Sequence, residues 1–373
     1  MELLDNQTHG GGDDMIGPHP VDFSRRDLMT MGPAIAAAQV LGMSQGLGEE
    51  AKATARTRKI ALEEHFTTPE LGKKFVAKPT KSEKLFADID RRLIDFEQLR
   101  LETMDKAGID LAVLSVTTPG VQGEKDTKTA IRLTRDANDL LAREVQKRPR
   151  RYAGFAHLPT QDASAAAAEL ERAVQQLGFK GALINGQTNG HYLDEDMYLP
   201  LWERVQDLDV PVYLHPGELP DHPAMFAGHP ELDGPIWGWT ADTGAHALRL
   251  VFAGTFKRFP KLKIILGHMG ETLPYLLWRF DSRWQLELGE DLPRDALPSA
   301  IIKRHFVITT SGVCDPNPLA GAIAALGEDS VMFSVDYPYE DTQTAAAFIE
   351  SAPISEAVRA KVCHGTAERI LRL

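Results

Sequence analysis

KIALEEHF, residues 59–66, begins as an apolar β-pattern and stops abruptly on two acids and a histidine. A buried strand that ends this way delivers its last side chains to the sheet edge, facing whatever cleft lies there. The ending recurs. VPVYLH (210–215) stops on His215, KIILGH (263–268) on His268 and VMFSVD (331–336) on Asp336. Four strands that each finish on a metal-ligating type of side chain predict a mononuclear metal site where they converge.

Outward from these, apolar runs at 111–116, 152–158, 181–185 and 306–312 bring the strand candidates to eight. Helical patterns separate them at 96–107, 128–146, 164–177, 198–207, 243–259, 271–288, 317–326 and 342–350, and a last one at 355–371 closes the chain. This alternation predicts an α/β fold, a (β/α)8 TIM barrel over residues 59–373. An open doubly wound sheet alternates in the same way. It binds its ligand at one switch point, however, and does not gather ligands from strands one, five, six and eight. No glycine-rich phosphate loop follows the first strand, which also counts against the open sheet.

Composition narrows the class. With 43% hydrophobic and 25% charged residues the chain reads as a soluble globular protein. A net charge of −12 argues against a nucleic-acid-binding surface, which needs clustered Lys and Arg. Two cysteines, Cys314 and Cys363, provide neither a disulfide framework nor a cysteine zinc cluster.

Residues 1–58 differ from the rest. Arg25-Arg26, a small-residue apolar stretch through Leu47 and Ala51-Lys52-Ala53 predict a twin-arginine export signal on a disordered extension. Export to the periplasm is the expectation, with a cytoplasmic protein as the alternative. The stretch is too weakly apolar and too often interrupted by glycine to span a membrane. Two long loops follow strand ends. The one at 66–95, with Lys73, Lys74, Lys78, Lys81 and Lys84, is expected to be a solvated loop or a lid. The one at 216–240 carries His222, His229 and Trp237-Gly238-Trp239, an aromatic pair placed to wall a pocket.

Glu63 and His65 are two residues apart and so share one face of the first strand. With His215, His268 and Asp336 they form a carboxylate and imidazole set that suits Zn2+ or Mn2+, with Mg2+ as a further candidate, and keeps positions open for water or substrate.

The segments EEHF (63–66), VLSVTTPGVQ (113–122), LWERVQDLDVPVYLHP (201–216), HALRL (246–250), LGHMGETLPYLLWRFD (266–281) and SVDYPYE (334–340) together resemble the amidohydrolase superfamily. They are most similar to its decarboxylase branch, the γ-resorcylate, 2,3-dihydroxybenzoate and 5-carboxyvanillate decarboxylases, and less so to the aminocarboxymuconate-semialdehyde decarboxylases. The resemblance implies Glu63, His65, His215 and Asp336 as metal ligands and His268 as a catalytic group. It implies Glu271 as the acid that supports His268, and Arg279 as the residue that holds the substrate carboxylate. It also implies a homodimer or homotetramer.

The activity expected is non-oxidative, divalent-metal-dependent decarboxylation of a hydroxylated aromatic or related unsaturated carboxylic acid. Substrate is chelated to the metal, and C1 is protonated, by Asp336, before CO2 leaves. The alternative is a hydrolase of a lactone, ester or amide on the same scaffold. Two departures bear on substrate. Pro216-Gly217 stands where the branch often has Pro-Arg, and Gly365-Thr366-Ala367 where it usually has Gly-Asn-Ala.

Overall fold

The computed structural model describes residues 56–75, 83–289 and 291–373. The export-signal reading and Lys78 and Lys81 lie outside the described residues.

All eight expected strands are present: β1 (Ile60–Phe66), β2 (Leu111–Val116), β3 (Tyr152–Gly154), β4 (Ala182–Asn185), β5 (Val212–His215), β6 (Ile264–Leu266), β7 (Phe306–Thr309) and β8 (Val331–Met332). They pair in parallel and in chain order as two arcs, β1–β3 and β4–β8. Two further parallel bridges join the arcs, Ala156 with Ala182 and Glu64 with Tyr337. The ring therefore closes as a TIM barrel, in sequence order, as right-handed β–helix–β crossovers produce it.

One main helix follows each strand: α1 (Leu99–Ala107), α2 (Thr127–Lys147), α3 (Ala163–Gln175), α4 (Leu199–Leu208), α5 (Gly238–Phe252), α6 (Leu277–Leu288), α7 (Pro316–Leu326) and α8 (Thr342–Ser351). Asp126, Asp162, Asp315 and Asp341 each cap the helix they precede by accepting backbone N–H groups, worth about 1 kcal/mol apiece. Several boundaries differ from expectation. β3, β7 and β8 are shorter than the runs at 152–158, 306–312 and 331–336. The closing helix at 355–371 is two segments, Glu356–Ala360 and Thr366–Leu371, joined by a wider π-helical turn. Two other differences have a local cause. The pattern at 243–259 is interrupted at Gly254, whose φ of +74° suits glycine and ends the helical run. The pattern at 271–288 becomes a helix only from Leu277, because His268, Met269, Gly270, Glu271 and Thr272 all have positive φ and Pro274 excludes a continuous helix there.

Strand periodicity sorts the core into two layers. Ile60, Leu62, Leu111, Val113, Leu183, Tyr213, Ile265, Val307 and Met332 fill the barrel interior. The alternate residues Ala61, Ala112, Leu114, Ile184, Leu214, Leu266 and Ile308 pack outward against the helices. One irregularity matters. Between Ala61 and Glu64 the register of β1 on β2 slips by one residue. Strict alternation after Leu62 would aim Glu64 into the barrel; the extra residue aims Glu63 and His65 inward instead, as β-bulges do beside active sites. Glu64 accepts from the Val335 backbone N–H at 3.1 Å and ties β1 to the chain after β8.

Candidate metal centre

At the carboxyl ends of the strands Glu63, His65, His215 and Asp336 converge, each offering a ligand atom within 4.8 Å of the others. His215 Nε2 lies 3.1 Å from Glu63 Oε1, and His65 Nε2 lies 3.3 Å from Asp336 Oδ1. The donors are oriented from behind. His215 Nδ1 lies 2.8 Å from the Pro216 carbonyl, to which it donates, so Nε2 keeps its lone pair for the centre. His65 Nδ1 lies 3.3 Å from Ser115 Oγ. The backbone N–H of Glu63 donates to Ser334 Oγ at 2.6 Å.

Two buried atoms at the centre, Glu63 Oε1 and His65 Nε2, have no hydrogen-bond partner among the described residues. Buried polar atoms are almost always paired, and two orphans aimed at one point among two carboxylates and two imidazoles fit a divalent cation. The electrostatics agree. Burial pushes the Glu63 carboxyl up, but His268, His215 and His65 outweigh it and hold it well below the usual range. Burial pulls His65 down, yet Asp336 and Glu63 raise it to about 9. His215 goes the other way, because burial outweighs Glu63 and keeps it neutral. The two carboxylates thus stay ionised and draw protons onto the neighbouring imidazoles, positive charge that a bound cation would replace.

His268 stands beside this group. Its Nε2 is 3.5 Å from Glu63 Oε1 and 3.6 Å from Asp336 Oδ2, and its Nδ1 is 2.7 Å from Glu271 Oε1. Asp336 has φ of +83° and His268 of +45°, backbone strain of the order of 1–3 kcal/mol each that clusters at functional sites.

Above the centre lies a cavity of 360 Å3 walled by Pro216, Ile236, Trp237, Trp239, Val313 and Tyr275, with His268, Asp336 and Glu340 as its titratable lining. The expected aromatic wall is therefore in place. Among the described residues, none of the lining comes from the 66–95 loop; its described parts form short helices, Pro69–Phe75 and Glu83–Leu93. His222 and His229 are exposed and pair with Asp233 and Glu231.

Arg279 is not brought to this cavity within the chain. It is exposed, and lines a separate shallow hollow with Phe252, Phe280, Arg283, Trp284 and Glu287. Leu277 is the buried face of α6, and two residues on, about 200° around the helix, Arg279 points outward. Gly217 also has a physical reason. A Cβ there would sit 2.5 Å from the Asn185 carbonyl oxygen and 3.0 Å from Gly186 Cα, so this backbone has no room for the arginine of the branch.

Sequence reading missed the support beneath the site: Tyr213, Thr309, Ser115 and Ser334. The signal was present, since Tyr213 lies two residues before His215 and Ser334 two before Asp336, on the same strand face.

The chain belongs to the amidohydrolase family, which it matches over residues 65–373. Among its relatives it is 42% identical over 327 residues to a γ-resorcylate decarboxylase of Polaromonas sp. strain JS666, a match covering 84% of this chain and 98% of that one. A dihydroxybenzoic acid decarboxylase structure from Polaromonas sp. JS666, with bound manganese and the inhibitor 2-nitroresorcinol, superposes with a TM-score of 0.79 at 42% identity, over 85% of this chain and 98% of that one. A 5-carboxyvanillate decarboxylase of Novosphingobium aromaticivorans, complexed with manganese and 4-hydroxy-3-methoxy-5-nitrobenzoic acid, gives a TM-score of 0.78 at 34% identity, over 84% and 96% of the two chains.

Proposed function

We propose that the protein is a divalent-metal-dependent decarboxylase of a hydroxybenzoate with a hydroxyl ortho to the carboxylate. The observation that carries this is the pair of orphan donors, Glu63 Oε1 and His65 Nε2, set beside the acid–base pair His268–Asp336 under an aromatic-walled cavity. The decarboxylase relatives support it. Manganese is the favoured ion, because N/O ligand sets accept it and two similar structures hold it.

A cation held by Glu63, His65, His215 and Asp336 would supply chelation of neighbouring carboxylate and phenol oxygens. The chain's residues do the rest. Burial pushes the Asp336 carboxyl up, but His268 and His65 outweigh it and keep it ionised. The proton it relays therefore comes from the bound substrate's own phenol. Asp336 passes this proton to C1, the ring loses aromaticity, and the C1–carboxylate bond then breaks. Its electron pair restores the ring and CO2 departs. His268 is held protonated: burial pulls it down, while Glu271, Glu63 and Asp336 raise it well above its ordinary value. It orients the carboxylate, and the Trp237 and Trp239 wall keeps water from C1.

One observation favours a second reading. Among the described residues no Lys or Arg lines the cavity, whereas Asp336 and Glu340 do, which suits hydrolysis of a neutral lactone or ester. Assay of metal-loaded protein for CO2 release from 2,6-dihydroxybenzoate and its isomers, beside acid release from aryl lactones, separates the two. CO2 that disappears in Asp336→Asn supports decarboxylation; acid release without CO2 overturns it.

A cationic side chain for the substrate carboxylate has a source if the enzyme is a homodimer or homotetramer. Trp278 is 77% exposed and Leu286, about 80° around α6 from it, is 72% exposed, an apolar pair suited to a second copy. Arg279 lies beside Trp278, so carboxylate capture by it would be a property of the assembly. Sedimentation at working concentration tests this, a monomer being the adverse result. The Arg25-Arg26 segment supports a periplasmic location. Fractionation of cells tests it, comparing the full chain with a variant in which both arginines are changed to lysine.

A further inference from the structure

We propose that Tyr213 is a positioning residue for Glu63, engaging Oε2 so that Oε1 alone is free for the cation; this rests on the metal reading above. Tyr213 is fully buried inside the barrel, on the inward face of β5 below His215. Its hydroxyl donates to Glu63 Oε2 and lies 2.8 Å from Thr309 Oγ1. A phenol has one proton. Because that proton goes to the carboxylate, Thr309 must donate to the Tyr213 oxygen, and the chain Thr309 to Tyr213 to Glu63 runs one way.

The two oxygens of Glu63 are thereby made unequal. Oε2 has a charge-assisted partner; Oε1, with none, points at His215 Nε2. Gly267, at the end of β6, completes the fit. A Cβ there would meet Glu63 Oε2 at 2.6 Å and the Tyr213 hydroxyl at 3.2 Å, so the glycine is what lets the phenol and carboxylate meet. A carboxylate held by one oxygen leaves a coordination position that a two-oxygen substrate needs. If Oε2 were released, the carboxylate would lose its fixed aim, loosening Oε1 on the cation and letting Oε2 intrude on that position. Orienting partners of this kind are worth roughly ten- to a hundredfold in metal affinity.

The test uses the full chain and Mn2+ as the probe, with its Kd measured by chelator competition, alongside KM and kcat for the substrate that is turned over. In Tyr213→Phe, Mn2+ affinity is expected to fall roughly ten- to a hundredfold and KM to rise more than kcat falls. In Thr309→Val, which keeps the phenol but removes its donor, the same changes should appear at smaller size. A folded Tyr213→Phe with Mn2+ Kd within about twofold of wild type overturns the proposal, even if its Tm has dropped, because that is the signature of a merely structural phenol. Should Tyr213→Phe not fold, Thr309→Val decides: unchanged Kd and KM overturn the proposal. A wild-type protein whose Mn2+ binding is absent, or indifferent to Glu63→Gln, overturns both this inference and the metal reading. Intact wild-type binding with an unchanged Tyr213→Phe overturns this inference alone.

Discussion

Glu271 places its carboxylate oxygen 2.7 Å from Nδ1 of His268 across a turn whose residues run through left-handed backbone. An ordinary helix start would aim a side chain three residues on along the helix surface. The left-handed turn folds it back beneath the imidazole and leaves Nε2 facing Asp336.

Glu271→Gln keeps this hydrogen bond and removes its charge, a loss of roughly 1–2 kcal/mol or about tenfold in kcat/KM. Because Glu271 raises the His268 pKa, its loss lowers that pKa. Activity that needs protonated His268 then declines at lower pH, and the alkaline limb of the kcat/KM profile should move to the acid side. An unmoved limb would assign that limb to another group.

Asp336→Asn removes the group that relays the proton to C1. Turnover should fall by roughly a hundredfold to ten-thousandfold, and Mn2+ affinity should also fall, since one ligand is changed. Rates compared at saturating Mn2+ isolate the proton-relay component.

Addition of Mn2+ to chelator-treated protein should stabilise it. At free Mn2+ a hundred times Kd the gain is about 2.7 kcal/mol, read as a rise in Tm. Glu63→Gln and His215→Asn should lose most of this rise; an equal rise in both variants would place the binding elsewhere.

Gly217→Ala adds a Cβ 2.5 Å from the Asn185 carbonyl oxygen. Overpacking of this sort costs about 1–3 kcal/mol, measurable by urea unfolding. Gly217→Arg should cost at least as much, which would explain why the branch's arginine is absent here.

His157 and His246 are buried neutral, each pushed by burial to a pKa of about 3. Each ring accepts a backbone N–H, from Val121 and Leu193. The folded pKa lies below the unfolded value, so the unfolded chain binds more protons between about pH 6.5 and 3. Stability is thus full above the unfolded pKa and falls as pH drops through this window, by about 2 kcal/mol per histidine at pH 5. His246→Gln should flatten that acid limb; an unchanged slope would clear this histidine of the effect.

The eight strands, their order and the four strand-end donors were legible in the sequence. Strand burial and period-two alternation are local properties, and the barrel adds only the ring that brings the strand ends together. His268 was legible for the same reason, Glu271 through the family resemblance, and the Trp237–Trp239 wall from its place in the long loop that follows β5. Other features required the tertiary structure. The one-residue slip in β1, which turns Glu63 and His65 inward after Leu62, depends on pairing with β2. The outward aim of Arg279 depends on where α6 starts, three residues after Pro274. The tight fit of Gly217 on Asn185, and of Tyr213 on Glu63 under Gly267, are contacts between residues far apart in the chain. Period two puts Tyr213 on the inward face but does not name its partner, because the contact depends on the space left by another strand.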